Sequence, residues 1–234
     1  MMALVLVAGL AWADTINTYP DWNQTSSVSA FGAGITATYG QVFTVPTGAT
    51  TLSSFSFWLE SYTQESVPDP SPVDFNGYVA AWDGLNEHAT GPVLAFGPQV
   101  LPGGTTPFGE FTFYTGSLGL TAGQQYVAFL NDSSTYYQSG QGNASMGVIL
   151  SNGAHGKTGG YFVFYNNSND FSLLTTSRWD STSSWGTGAD AAFLADFGTG
   201  TGTGSGGTPE PGSFVLLGAS LGMFGLLRRR IVKR

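Results

Sequence analysis

The sequence has no cysteine. That excludes thiol catalysis, Cys-ligated zinc and any disulfide, so a fold here must stand on its hydrophobic core alone. Charge is also scarce. Only 9% of the residues are Asp, Glu, Lys or Arg, against about 25% in typical soluble domains. Basic residues are scarcest: of seven, five lie in the last seven positions, leaving Lys157 and Arg178 for everything before them. Without that tail and Glu210, 14 acidic residues face 2 basic ones, a net charge of −12. Such a body repels phosphate backbones, which are held by Lys and Arg, and a nucleic-acid partner is excluded. Sustained helical periodicity is absent too, and so is any repeat that would mark a solenoid or propeller.

What the chain does have is apolar and hydroxyl-rich material. Hydrophobic residues make up 41% of it and aromatics 14%, enough for a sizeable core in 234 residues. Gly, Ser and Thr fill the place that charge would take.

The N-terminus is an apolar run, Ala3 to Leu10, followed by Ala11-Trp12-Ala13 and then Asp14. An apolar stretch ending in A-x-A before a polar residue is the pattern of a signal peptide over 1–13. No Lys or Arg precedes the run, which places a basic n-region upstream of Met1. The alternative is a buried N-terminal helix. At the other end, 198–208 reads GTGTGTGSGGT, a flexible linker by composition. Pro209-Glu210-Pro211 follows, then an apolar run from Phe214 to Leu227, then Arg228-Arg229-Arg230 and a basic terminus. The prolines keep the triplet extended and block helix on its N-terminal side. The apolar run then starts a helix, and the arginines after it stay cytoplasmic, leaving linker and body outside. Its 14 residues rise about 21 Å as a helix, short of the roughly 30 Å hydrocarbon core of a bilayer. The segment spans only with help from its flanks at 212–213 and 231–232, and suits a transient stop.

In this order and place, Pro209-Glu210-Pro211, the apolar helix over 212–227 and the Arg-rich end at 228–234 resemble the PEP-CTERM sorting signal. The resemblance covers about the last 27 residues. It implies recognition by exosortase, a membrane-embedded protease-transpeptidase, with cutting near the Pro-Glu-Pro triplet. It implies transient anchoring in the inner membrane of a Gram-negative host with exopolysaccharide and biofilm machinery, then the cell surface or the medium. The alternative is an ordinary single-pass tail anchor.

The body, 14–197, carries short strand signals separated by Gly, Pro, Asn, Asp and Ser clusters. Leu52, Phe55, Phe57 and Leu59 oppose Ser54, Ser56 and Trp58. Further runs are 77–82 into the turn Asp83-Gly84, 92–96, 111–114, 126–130, 147–150, 160–165 and 191–197. The spacing predicts an all-β fold, an antiparallel β-sandwich or jelly roll, with a signal helix before it and a transmembrane helix after it. The segment Leu118 to Phe129, with its turn at Ala122-Gly123, resembles the strand entry of many extracellular jelly rolls. Loops are expected at 66–72, where three alternating prolines forbid a sheet ladder, and at 165–169 and 181–188.

Chemistry is thinly marked. His88 and His155 are two lone histidines, too few for a zinc set. No D-x-D-x-D-G loop appears, although Asp69, Asp74, Asp132 and Asp170 are free to converge on calcium. Gly156-Lys157-Thr158 lacks the leading glycine of a P-loop, since position 151 is Ser151. No G-x-S-x-G elbow exists, and no carboxylate pair is marked by its neighbours. The residues call for no cofactor and no metal. Aromatics are the richer resource. Trp58 and Trp82 sit in strands and belong to the core, whereas Tyr136, Tyr137, Trp179 and Trp185 lie among polar residues, where exposed rings stack on sugars. Three functions follow. The first is a structural or biofilm-associated surface protein; the second is a module binding exopolysaccharide through those four aromatics; the third is a secreted hydrolase.

Overall fold

The computed structural model describes residues 14–32, 35–64, 67–68, 70–132, 142–150, 157–181 and 188–198. The chain divides into two units, Met1–Gly200 and Thr201–Arg234, and all described residues belong to the first. The expected signal helix, the linker after Gly198, the Pro-Glu-Pro triplet, the membrane helix and the basic end lie outside the described residues. Among the described residues no helix is long and apolar enough to cross a membrane.

The fold is all-β, two antiparallel sheets packed face to face. In chain order the strands are β1 (Asp14–Asn17), β2 (Ser27–Gly32), β3 (Thr38–Thr44), β4 (Thr51–Ser61), β5 (Thr63–Gln64), β6 (Val67–Pro68) and β7 (Val73–Asp83). They continue with β8 (His88–Leu101), β9 (Gly109–Gly119), β10 (Gln125–Asn131), β11 (Asn143–Ile149), β12 (Phe162–Tyr165), β13 (Asp180–Ser181), β14 (Asp190–Ala191) and β15 (Phe193–Phe197). The seven-stranded sheet runs β1-β15-β4-β11-β14, with β9 also on β4 and β2 on β11; the six-stranded sheet runs β13-β12-β3-β10-β7-β8.

Period-two alternation explains the core. Phe55, Phe57 and Leu59 of β4 face the second sheet, where Tyr39, Phe43, Phe75 and Leu130 meet them. Rings dominate the contacts: Phe55 stacks on Phe113 at 5.1 Å and Phe57 tilts against Phe193 at 5.2 Å. Leu52 is buried with Phe55 although the spacing is odd, because the pairing with β9 slips between Leu52 and Ser54 and turns the chain by one residue.

Both outer faces are partly covered as well. On the six-stranded sheet Val42, Tyr78, Trp82, Val127 and Phe129 form a second cluster under the 3-10 turn Phe171–Thr175 and Trp179. On the seven-stranded sheet Trp22, Trp58, Ile149 and Ala192 form a third, under the 3-10 turn Tyr19–Asp21. Trp58 and Trp82 are core residues, as their strand positions imply.

Three features differ from the sequence reading. Strands β1, β2 and β3 carry no clean alternation and are not marked by it. In β3, Gly40 and Gln41 interrupt the apolar run, yet both are buried. A Cβ on Gly40 would stand 2.8 Å from Phe129 Cβ. Gln41 donates from Nε2 to Asp190 Oδ1 (2.7 Å) and accepts at Oε1 from Ala191 N–H (2.7 Å), joining the two sheets through a polar clamp. The segment expected as loop at 66–72 contributes Val67–Pro68 to a two-residue ribbon with Thr63–Gln64. So short a ribbon asks for few N–H donors, which removes the objection to proline. Pro92 and Pro98 are likewise tolerated in the 14-residue β8, because it is the edge of its sheet.

Candidate functional site

The outer face of the seven-stranded sheet holds a cavity of about 490 Å³. Its geometry starts at Thr18. That buried hydroxyl donates to Ala191 O (2.7 Å) and accepts from Phe193 N–H (2.8 Å), pinning the chain where it leaves β1. Asn17 Oδ1 takes the N–H of Tyr19 (3.0 Å), and Pro20 sets the first turn, so the chain winds into the 3-10 turn. The turn ends at Trp22, whose N–H reaches Tyr19 O (3.1 Å).

Trp22 is then laid flat against the sheet by a missing side chain. A Cβ on Gly147 of β11 would fall 2.5 Å from the Trp22 ring. The indole Nε1–H donates to Ser26 O (2.7 Å). Asn23 closes the following turn by accepting from Thr25 N–H (3.0 Å) and Ser26 N–H (2.7 Å). This turn places Gln24 and Thr25 at the rim of the cavity.

The floor comes from β4. Trp58 and Glu60 are two residues apart and project on the same side of the strand. Tyr19 stacks on Trp58 with centroids 4.4 Å apart and planes at 29°. The opposite wall is Pro107 and Phe108, and Phe108 meets Trp22 edge-on at 4.6 Å and 86°. That wall is tied to β4 through the adjacent Thr106: its hydroxyl is 2.5 Å from Ser61 Oγ and accepts from Ser61 N–H (3.1 Å). Trp22 and Trp58 are buried, while Tyr19 and Phe108 are half-buried and keep surface toward the opening. Burial raises the pKa of the Glu60 carboxyl above its ordinary value. The result is four rings and a proline around one partly desolvated carboxylate, with an amide and a hydroxyl at the rim.

The sequence-derived aromatics fall elsewhere. Tyr136, Tyr137 and Trp185 lie outside the described residues. Trp179 is corrected: it is 1% exposed, edge-on to Trp82 (5.5 Å) and to Phe129 (5.2 Å), with Nε1–H donating to Leu174 O (2.9 Å). No face of that ring is open to a sugar, because it roofs the second hydrophobic cluster. His88 is half-buried with Nδ1 2.8 Å from Ala89 O, and His155 lies outside the described residues. Among the described residues no three His, Asp or Glu gather to hold a metal. Asp170 instead caps the second 3-10 turn, accepting from Ser172 N–H (3.0 Å), and Asp132 is fully buried. Tyr19, Trp22, Glu60 and Phe108 carried no signal as a set. They come from three separate segments, and the parity shared by Trp58 and Glu60 was the one local clue.

No protein-family model matches the sequence, and no curated protein is significantly similar to it. Five chains among the solved structures are similar to it, two of them as follows. One holds the cysteine protease and lectin-like domains of Cwp84, a surface layer associated protein of Clostridium difficile, at 12% identity over 68% of this chain and 31% of that chain, with a TM-score of 0.42. The other is a clostridial Cwp84 protease after propeptide cleavage, at 10% identity over 74% and 37% of the two chains and a TM-score of 0.46. The chain thus spans about a third of the length of either.

Proposed function

We propose that this chain is an exported surface or extracellular-matrix protein of a Gram-negative bacterium, sorted by exosortase through its C-terminal tail. The β-sandwich is the delivered cargo, with a jelly-roll-like strand arrangement, a signal helix ahead of it and a short membrane helix behind it. One observation carries the reading: Pro209-Glu210-Pro211, an apolar run and Arg228-Arg229-Arg230 stand in that order at the C-terminus, after a Gly/Thr linker. The body suits such a role. It needs no disulfide, and its solubility rests on hydroxyls and a net negative charge.

The tail supplies a marginal anchor, so release depends on recognition of the triplet. Replacing Glu210 with Ala removes its charged group and leaves the apolar helix and the arginines intact. The expected result is an uncut, full-length form that accumulates in the inner membrane. Normal release of the Glu210→Ala protein contradicts the reading. A body of this kind serves either as matrix material or as a matrix binder, and the aromatic cavity favours the second role.

A further inference from the structure

We propose that the cavity between Tyr19, Trp22, Trp58 and Phe108 binds a pyranose unit of a polysaccharide without negative charge, and an amino sugar best. This goes beyond the sorting reading and stands whether or not the tail is cut.

The volume, about 490 Å³, lies in the range of small-ligand sites, about 300 to 1,000 Å³. The walls are ring faces and edges, and a π-face carries negative potential. A pyranose presents C–H bonds on one face and hydroxyls around its rim. The C–H face matches Tyr19 and Phe108, and the hydroxyls match Gln24, Thr25 and Glu60. A purely apolar ligand would cover the Glu60 carboxylate and give it nothing in return, at a cost in desolvation.

Charge selects among sugars. Among the described residues Glu60 is the one carboxylate lining the cavity, and it sits in a body with 14 acidic and 2 basic residues. A uronate brings a second anion beside a partly desolvated first one. A protonated amine instead pairs with Glu60 and gains from the surrounding rings, which attract cations. The arrangement is rigid on all sides. Trp22 is seated on Gly147, the turn carrying it is fixed by Thr18 and Asn23, and the Phe108 wall is fixed by Thr106 to Ser61.

The test is calorimetry on the full chain in mild detergent with four probes: a glucosamine tetramer, a glucose tetramer, a galacturonic acid tetramer and tetralysine. The expected order is glucosamine over glucose over galacturonate, with the first and last separated by about tenfold or more, roughly one charge pair. Tetralysine, which has the charge without the ring, binds no better than galacturonate. Glu60→Gln collapses the spread, Phe108→Ala weakens both sugars, and Asp180→Asn on the other sheet changes nothing. Absence of sugar binding overturns the proposal. So does an order that Glu60→Gln leaves intact, or tetralysine binding as tight as glucosamine. Glu60 and Phe108 are only partly buried, so both variants keep the core, and circular dichroism on each verifies that it is folded.

Discussion

Asp132 sits at the end of β10, its N–H donating to Ala37 O (3.1 Å). Its side chain is fully buried, and neither carboxylate oxygen has a hydrogen-bond partner. Burial pushes its pKa from 3.8 up to about 7. The folded chain therefore holds this proton more tightly than the unfolded chain does. The sign follows: the stability linked to Asp132 is fully present below about pH 4 and is lost as pH rises through about 7. Between pH 5 and pH 8 the loss is about 3 kcal/mol, since each pKa unit corresponds to about 1.4 kcal/mol. Asp132→Asn has the same shape and no charge to desolvate. Urea unfolding followed by tryptophan fluorescence at pH 5, 6, 7 and 8 should show the parent losing stability across the series. The advantage of the Asn variant over the parent should vanish only near pH 4 and below, and should grow by about 3 kcal/mol between pH 5 and pH 8. Asp83 does not confuse the window. Its carboxylate accepts from Leu85 and Asn86 N–H and from the Asn86 amide, which hold its pKa below the ordinary value. Its contribution is therefore lost only as pH falls through the acid range. An Asp132→Asn protein that keeps the parent's pH slope would refute the assignment of that slope to this carboxyl.

Other substitutions follow from the same contacts. Gly147→Val must displace the Trp22 ring, at a cost of about 1–3 kcal/mol; chemical denaturation measures the loss, and sugar binding should fall with it. Trp179→Ala opens the outer cluster of the six-stranded sheet and should cost about 3–5 kcal/mol, far more than removing an exposed loop aromatic; the urea midpoint reads it. Gln41→Ala removes the donor to Asp190 and the acceptor of Ala191 N–H in a buried setting, so a loss of about 3 kcal/mol is expected, with a lower melting temperature as the readout.

Strands with one face in the core announced themselves, as in β4 and β15, where apolar residues recur at every second position. The strand interrupted by Gly40 and Gln41 did not, because the reason for each interruption lies elsewhere in the chain. Gly40 answers to Phe129 and Gln41 to Asp190. Trp179 reads as a loop residue in polar company, and nothing local shows that the second 3-10 turn folds it onto Trp82. The cavity was hidden for the same reason. Trp22 lies between Asp21 and Asn23, and Gly147, which seats its ring, is more than a hundred residues away. By contrast the proposed terminal addresses rest on contiguous residues, so no long-range contact is needed to read them.

The central claim is that the tail is a sorting signal and the sandwich its cargo. Intact mass of the protein recovered from its own host, by cell fraction, tests it most directly. The account predicts a species ending near Pro209 to Pro211 outside the inner membrane. A full-length chain with Arg234 intact, lodged in the inner membrane alone, would contradict it.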